Sequence, residues 1–461
     1  MLIIQLTQPM KIPADSPARR AGGRRGARGG GYSTHRGTER PVGAPAPGRG
    51  FPGTGPQYGR QNGMSFRVQQ HSSILDIDAA AWNVLAADSP FLRHEFLSAL
   101  ERAGCVGEDT AWEPAHLTVT DDAGTLAGAL PLYIKCDSRG EFVFDWSWAN
   151  AYDQAGLSYY PKLVSAVPFT PATGQRLLTR ERSEFPLVAA ELLAAARNFS
   201  TEIDASSLHV LFPTDAERGF LSNEGLLQRK NCQFHWHNDG YENFEEFLAR
   251  FVSAKRKKAR RERRRVAEAG VQFEHLSGNE PSEEDWDTVF EYYARTFLRR
   301  GREPYLNREF FREIAETMPE SLVVILARLN GEPIATAICF RNRDTLYGRY
   351  WGSLADFHSL HFEACYYQGI EYCIDQRLSR FEPGTQGEHK LSRGFTPMAT
   401  WSSHWIPDPA FGQAIEQFLD RERIHVDAYM KELANHAPFR KDQTIPLPRV
   451  CAPPDRNLDL P

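Results

Sequence analysis

Between Lys255 and Arg265 nine of eleven residues are Lys or Arg, KRKKARRERRR, and this run restricts what the chain around it can fold into. Eleven helical residues wrap about three turns, so basic side chains point in every direction and no ordinary packing face remains. A helix spanning Tyr241 to Ala269 offers a core only the thin stripe Leu248, Val252, Ala259, Val266. Crowding like charges costs free energy unless an anion shares the space, which points to a phosphate-bearing ligand: a nucleotide diphosphate, coenzyme A or a tRNA backbone. The competing reading is a solvated face.

The remainder is not a general polyanion binder. Residues 1–63 hold ten Lys/Arg against two Asp/Glu, and the rest of the 461-residue chain holds 44 against 57. Its Gly, Arg and Pro content predicts a disordered leader at 1–63, either an RNA-binding arm or an unselected extension before the natural-looking start at Met64. Seven cysteines without a CxxC pair suggest reduced thiols. No apolar run approaches a membrane span and none follows the basic N-terminus as a secretory signal requires, so a cytoplasmic protein is expected.

From Phe66 the order of predicted elements is helices, a hairpin over Ala115–Thr120 and Leu126–Ile134, the aromatic segment Phe142–Gly156, a strand with the loop Lys162–Leu178, a helix at Pro186–Asn198 and a strand at Ser207–Phe212. A similar order follows Phe234: the basic helix, helices at Asp285–Arg300 and Arg308–Thr317, a hairpin turning at Asn330-Gly331, the aromatic strand Leu346–Trp351 and a helix at Leu360–Leu378. The expected fold is α/β with mixed α+β sheets, in two repeated domains, 64–232 and 233–440, with a tail at 441–461.

Chemistry concentrates in FEPGTQGEHKLSRGF, Phe381 to Phe395. Pro383, Gly384 and Gly387 turn the chain so that Glu388, His389, Lys390 and Arg393 can converge, while Glu382 either joins them or simply ends the strand. Carboxylate and imidazole suit removal of a proton from an attacking amine; Lys or Arg suits a developing oxyanion or a phosphate. Gly174 and Arg176 of FTPATGQRLL offer a second oxyanion or phosphate contact, or a plain turn. Trp146, Trp148, Tyr152 and Trp351, aromatics at strand positions, are either pocket walls or core. His358, His361 and Cys365, like His235 and His237, lack a metal-ligand pattern, so no metal is expected. No GxGxxG, P-loop or GxSxG occurs.

Over residues 75–440 the chain resembles the FemAB-like predicted N-acyltransferases, a branch related to the GNAT fold. The segments carrying the resemblance are FDWSWANAYDQAGLSYYPKL with VPFTPATGQRLL, HFEACYYQGIEYCI, and FEPGTQGEHKLSRGF with Trp401 to Ile406. The resemblance implies tandem GNAT-like acyltransferase domains. It also implies a catalytic role for Lys390, which matches a loop lysine of the Fem-type aminoacyltransferases. Phosphate contacts from the basic helix follow in the same way, with Arg260, Arg261 and Arg264 as candidates. The GNAT pyrophosphate motif is not legible in either half, so acyl-CoA, acetyl-CoA in the first place, rests on the resemblance alone, beside aminoacyl-tRNA. The expected reaction moves an acyl or aminoacyl group to a primary amine on a cell-wall precursor or an amino-acid-like metabolite. Its rival is a non-catalytic nucleic-acid-binding or peptidoglycan-recognition module using the basic helix and the Arg-rich arm.

Overall fold

A computed structural model describes residues 65–354, 358–385 and 387–440. The expected leader and tail lie outside the described residues. The fold is mixed α/β, and the two halves share a plan. A parallel strand pair bridged by a helix recurs: Lys162–Ser165 beside Leu208–Leu211 around the helix Phe185–Glu202, and Thr345–Ser353 beside Arg380–Glu382 around the helix Gln368–Asp375. The hairpin expected at Asn330-Gly331 joins Leu322–Leu329 to Glu332–Arg341, with φ of 53° and 88° at the two turn residues, a conformation that suits Asn-Gly.

The two halves are joined by an exchange of strands. Leu227–His237, which follows the first parallel pair, crosses to bond Arg380–Glu382 of the second. Thr396–Trp405, which follows the second pair, crosses back to bond Leu208–Leu211 of the first. The crossing strands pair with each other from Thr396↔His235 to His404↔Leu227, so both halves form one sheet of eleven strands. The boundary expected after Cys232 therefore falls inside a strand and separates no two sheets. On one side the core is continuous between halves: Phe96 meets Phe310 and Phe340 edge-on, and Phe91 meets Tyr347. A smaller sheet of four strands packs under Phe185–Glu202 through Leu117, Val119, Val188 and Leu192.

Three expectations need correction. The basic helix is two helices, Phe244–Ala249 and Ser253–Glu268. Phe251, fully buried, pairs there with Phe439 while Val252 N donates to Pro438 O, so tertiary contacts break a pattern that propensity alone would continue. The aromatic positions Trp146, Trp148 and Tyr152 lie on a helix, Trp146–Gln154, not on a strand. The helix from Leu360 carries a π-turn at Glu363–Tyr367, a feature that sequence periodicity does not register.

Where the second crossing strand enters the first half, a polar cluster is sealed in. Lys162 Nζ donates to Ser138 Oγ at 3.1 Å and Glu141 Oε2 at 2.8 Å, and pairs with Asp145. Tyr159 donates to Asp145 at 2.6 Å. Burial pushes Glu141 up to about 8, so its proton keeps the Lys162–Asp145 pair electrically balanced. Beside it His209 Nδ1 lies 2.5 Å from His404 Nδ1, and burial, then Lys162, lowers His209 to about 3. The unfolded chain takes protons on these rings below pH 6.5 while the folded chain does not, so their stability contribution is lost as pH falls. The unfolding free energy from urea melts should drop between pH 6.5 and 4 by on the order of 1.4 kcal/mol per pH unit per histidine. The pair His209→Gln with His404→Gln should reduce that dependence, leaving the part owed to His235, His361 and His389; an unchanged slope would show that the two rings do not contribute to it.

Candidate active site

The loop after Arg380–Glu382 is bracketed by Gly387 and Gly394, with φ of 119° and 92°, values that side chains resist; between them Glu388–Arg393 forms a 3-10 turn. The turn drives Lys390 inward to 2% exposure, where Nζ donates to Gly384 O at 2.6 Å. No carboxylate pairs with it among the described residues, and burial lowers its pKa to about 7. His389 keeps one edge in solvent, and its Nε2 lies 2.8 Å from the Tyr366 hydroxyl. Enclosure of the ring by Phe362 and Tyr366, then the charges of Lys390 and Arg393, lower His389 to about 4, so the imidazole is neutral at pH 7. His361, also lowered to about 4 by burial and these same cations, lies 5.1 Å from the Trp351 ring.

The other expected residues divide. Glu388 is exposed and accepts from Tyr429 at 2.8 Å. Glu382 is buried at the strand end, and burial raises its pKa. Arg393 is committed: it donates to Glu262 Oε1 at 2.9 Å and His389 O at 2.7 Å, and lies over the Phe362 ring. On the basic helix Arg260 pairs with Glu245 at 2.5 Å and Arg264 with Glu268 at 3.5 Å; both arginines, with Arg261, face solvent, away from the loop. Arg176 is enclosed in the first half and donates to Gln175 O and Ala172 O, while the Gly174 N–H is taken by Phe212 O. Trp148 and Tyr152 sit in a core cluster with Phe411 and Ile415, whereas Trp146 is 52% exposed and packs on Phe144.

Several members of the site escaped sequence reading. Tyr366 reaches His389 because the π-turn rotates the helix under the loop. His235, on the first crossing strand, is buried and held neutral by burial, then by Arg380. Glu262, the sole acid in the basic run, accepts from both Arg393 and Tyr367, the latter at 2.7 Å. That lone acid among nine cations was the available signal. No group of three or more potential metal-ligating side chains occurs among the described residues, and no helix among them is long and apolar enough to cross a membrane.

Family comparison places this mixed α/β chain. Residues 73–441 match the FemAB-like family, described as peptidoglycan biosynthesis/recognition, and the chain belongs to it. No curated protein matches the chain. Among solved structures it is similar to FemX, at 12% identity and a TM-score of 0.47 over 76% of this chain and 100% of that one. It is also similar to the C-terminal domain of a putative lysylphosphatidylglycerol synthetase from Agrobacterium fabrum, at 11% identity and a TM-score of 0.47 over 75% and 97%. A tandem GNAT protein from the clavulanic acid pathway matches at 13% identity and a TM-score of 0.40 over 75% and 99%.

The Lys390 burial has a testable energetic sign. Unfolded, the amine titrates at its ordinary 10.5; folded, at about 7, so the cost of burying the ammonium is fully present below pH 7 and fades as pH rises toward 10.5. Lys390→Met should therefore stabilise the protein at pH 6, by on the order of 2 kcal/mol in urea melts, with the gain shrinking above pH 7. Equal gains at pH 6 and pH 10 would mean that the charge is not what the fold resists.

Proposed function

We propose that the chain is an N-acyltransferase that moves an acyl or aminoacyl group from acyl-CoA or aminoacyl-tRNA to a primary amine. The observation that carries this reading is Lys390, buried without a counter-ion beside a neutral imidazole. The amine nitrogen bonds to the donor carbonyl carbon as its proton passes to His389, directly or through water. The carbonyl oxygen becomes an oxyanion facing the Lys390 ammonium, which has two N–H groups left after its bond to Gly384 O. Collapse breaks the C–S or C–O bond, and the leaving thiolate or alkoxide takes up the proton. Glu388, bound to Tyr429 on the outside, is placed to hold the loop more than to touch substrate.

The ammonium is lost as pH rises through about 7 and the neutral imidazole as pH falls through about 4, so the rate should follow a bell between these limits. With acetyl-CoA and aminoacyl-tRNA offered against a panel of primary amines, Lys390→Ala should lower kcat by roughly 100-fold to 1,000-fold. Transfer that proceeds at the wild-type rate without Lys390 would remove the assignment.

The solvent-facing cations of Ser253–Glu268 support a phosphate-rich donor, and beyond their last turn a cavity of about 440 Å³ is lined by Arg265, Val266, His358 and Leu360. These same cations favour the second reading, a nucleic-acid-binding module without catalysis. Replacing Arg260, Arg261 and Arg264 together by Gln should weaken tRNA binding and reduce its salt slope by about two to three. Salt-dependent RNA binding in the absence of any acyl transfer would favour the module.

A further inference from the structure

We propose that Tyr366 and His361 form a proton relay behind His389: Tyr366 fixes which ring nitrogen of His389 is free for the attacking amine, and His361 receives the charge that the amine gives up. This rests on the transferase reading and names the path of its proton. Tyr366 is buried, and its hydroxyl lies between two imidazoles, 2.8 Å from His389 Nε2 and 3.5 Å from His361 Nε2. Behind them His361 Nδ1 stands 3.4 Å from Cys365 Sγ. The backbone is bent to make this row. His361 and Tyr366 are five residues apart, which an ordinary α-helix would set about 140° apart around its axis. The π-turn at Glu363–Tyr367 closes on i→i+5 bonds and brings the two side chains to one side.

Only one ordering of the row lets His389 accept a proton. A hydroxyl has a single hydrogen, so Tyr366 donates to one imidazole and accepts from the other. Were it to donate to His389 Nε2, the neutral ring would carry its hydrogen on Nδ1 and have no lone pair left for the amine. The working order is therefore His389 Nε2–H to Tyr366 O, Tyr366 O–H to His361 Nε2, and His361 Nδ1–H to Cys365 Sγ. His389 Nδ1, which hydrogen-bonds to no described residue, is then the free acceptor. The ring lies against Gly387, where a Cβ would come within 2.9 Å of Nδ1, so a side chain there would crowd the nitrogen that the amine must reach.

When the amine nitrogen bonds to the donor carbonyl carbon, its N–H bond breaks and a bond from that hydrogen to His389 Nδ1 forms. The Nε2 hydrogen passes to Tyr366 as the Tyr366 hydrogen passes to His361 Nε2. Tyr366 is neutral before and after, and His361 ends as the imidazolium. On collapse the same hydrogens move back, and His389 Nδ1 hands the proton to the leaving thiolate or alkoxide. The relay takes positive charge away from the Lys390 ammonium. After burial, Lys390 is the strongest charge depressing His389, whereas for His361 it ranks behind His389 and Arg393. Cys365, whose thiol is pushed far up by burial, stays protonated and ends the row as a weak acceptor.

Imidazole nitrogen shifts in the isotope-labelled full chain at pH 7 test this without any turnover, the His389 ring being identified by its loss in His389→Gln. In the wild type the hydrogen of His389 should sit on Nε2. Tyr366→Phe should leave a mixture of the two tautomers. His361→Leu should move the hydrogen to Nδ1, because Tyr366 then has only His389 to donate to. His361→Gln, whose amide oxygen still accepts from Tyr366, should keep the wild-type tautomer. Near-UV circular dichroism checks that each variant is native, and if His361→Leu does not fold, Tyr366→Phe and His361→Gln decide. On an identified amine, Tyr366→Phe and His361→Gln should each lower kcat by roughly 10-fold to 100-fold with KM unchanged, since glutamine orders the row but cannot take the charge. A hydrogen on Nδ1 in the wild type, or a tautomer that Tyr366→Phe does not move, overturns the proposal. So does a wild-type kcat in Tyr366→Phe or His361→Gln, which would leave the transferase reading standing without the relay. The expected tautomers without transfer from either donor would keep the ordering of the row and remove the transferase reading.

Discussion

Everything in this molecule hangs on the reciprocal exchange of two strands. Neither parallel pair is closed by the strand that follows it in sequence; each is closed by the strand from the other half. The active-site candidates are placed by this exchange. Lys390 sits on the loop that feeds the second crossing strand, Glu382 ends the strand bonded to the first, and His235 lies in the ladder between the two. At its far end the same ladder carries Arg229, which donates from Nε and Nη2 to Glu422 at 2.8 Å each and so fixes the register from the opposite side. A slip of one residue would turn His235 and Arg229 to the wrong face together.

Two buried lysines show how function and structure differ in the same fold. Lys162 is fully enclosed, but Glu141, Asp145 and Ser138 meet it, and its pKa is raised once the carboxylates outweigh the burial. Lys390 is enclosed to nearly the same degree and has only a carbonyl oxygen, so its pKa falls to about 7. A satisfied buried charge specifies a fold. An unsatisfied one costs stability, and in the proposed transfer it stands where an oxyanion would develop.

The sequence displayed many element types because they depend on local pattern: the apolar, β-branched run of Leu322–Leu329, the Asn330-Gly331 turn, the glycines around Lys390. The two-fold repetition of helices, hairpin and strand was likewise legible. What stayed hidden depends on contacts distant in sequence. The strand exchange leaves no periodic trace, because Leu227–His237 pairs with residues about 140 to 180 positions away. The same reason hid the break at Phe251, which answers to Phe439, and the burial of Trp148, which answers to Phe411 and Ile415. Arg349 looked like an ordinary strand residue, because the bulge that displaces it is set by pairing and not by composition.

The basic run that dominates the sequence has two faces with different tasks. Inward, Arg263 grips Glu363 at 3.0 Å and Glu371 at 2.6 Å, and Glu262 holds Arg393 and Tyr367. These bonds fasten the helix to the π-turn and to the loop three residues from Lys390. Outward, Arg260, Arg261 and Arg264 keep their charge in solvent. A run this basic is therefore tolerated because its inner members are neutralised one by one against acids of the second half. On the outer side Arg260 and Arg264 have exposed acidic partners, Glu245 and Glu268, and Arg261 faces solvent, so the field an anionic ligand would meet there is partly offset and screened by water. One helix thus carries both sets: the residues that hold Arg393, three positions from Lys390, and the residues left in solvent belong to a single element.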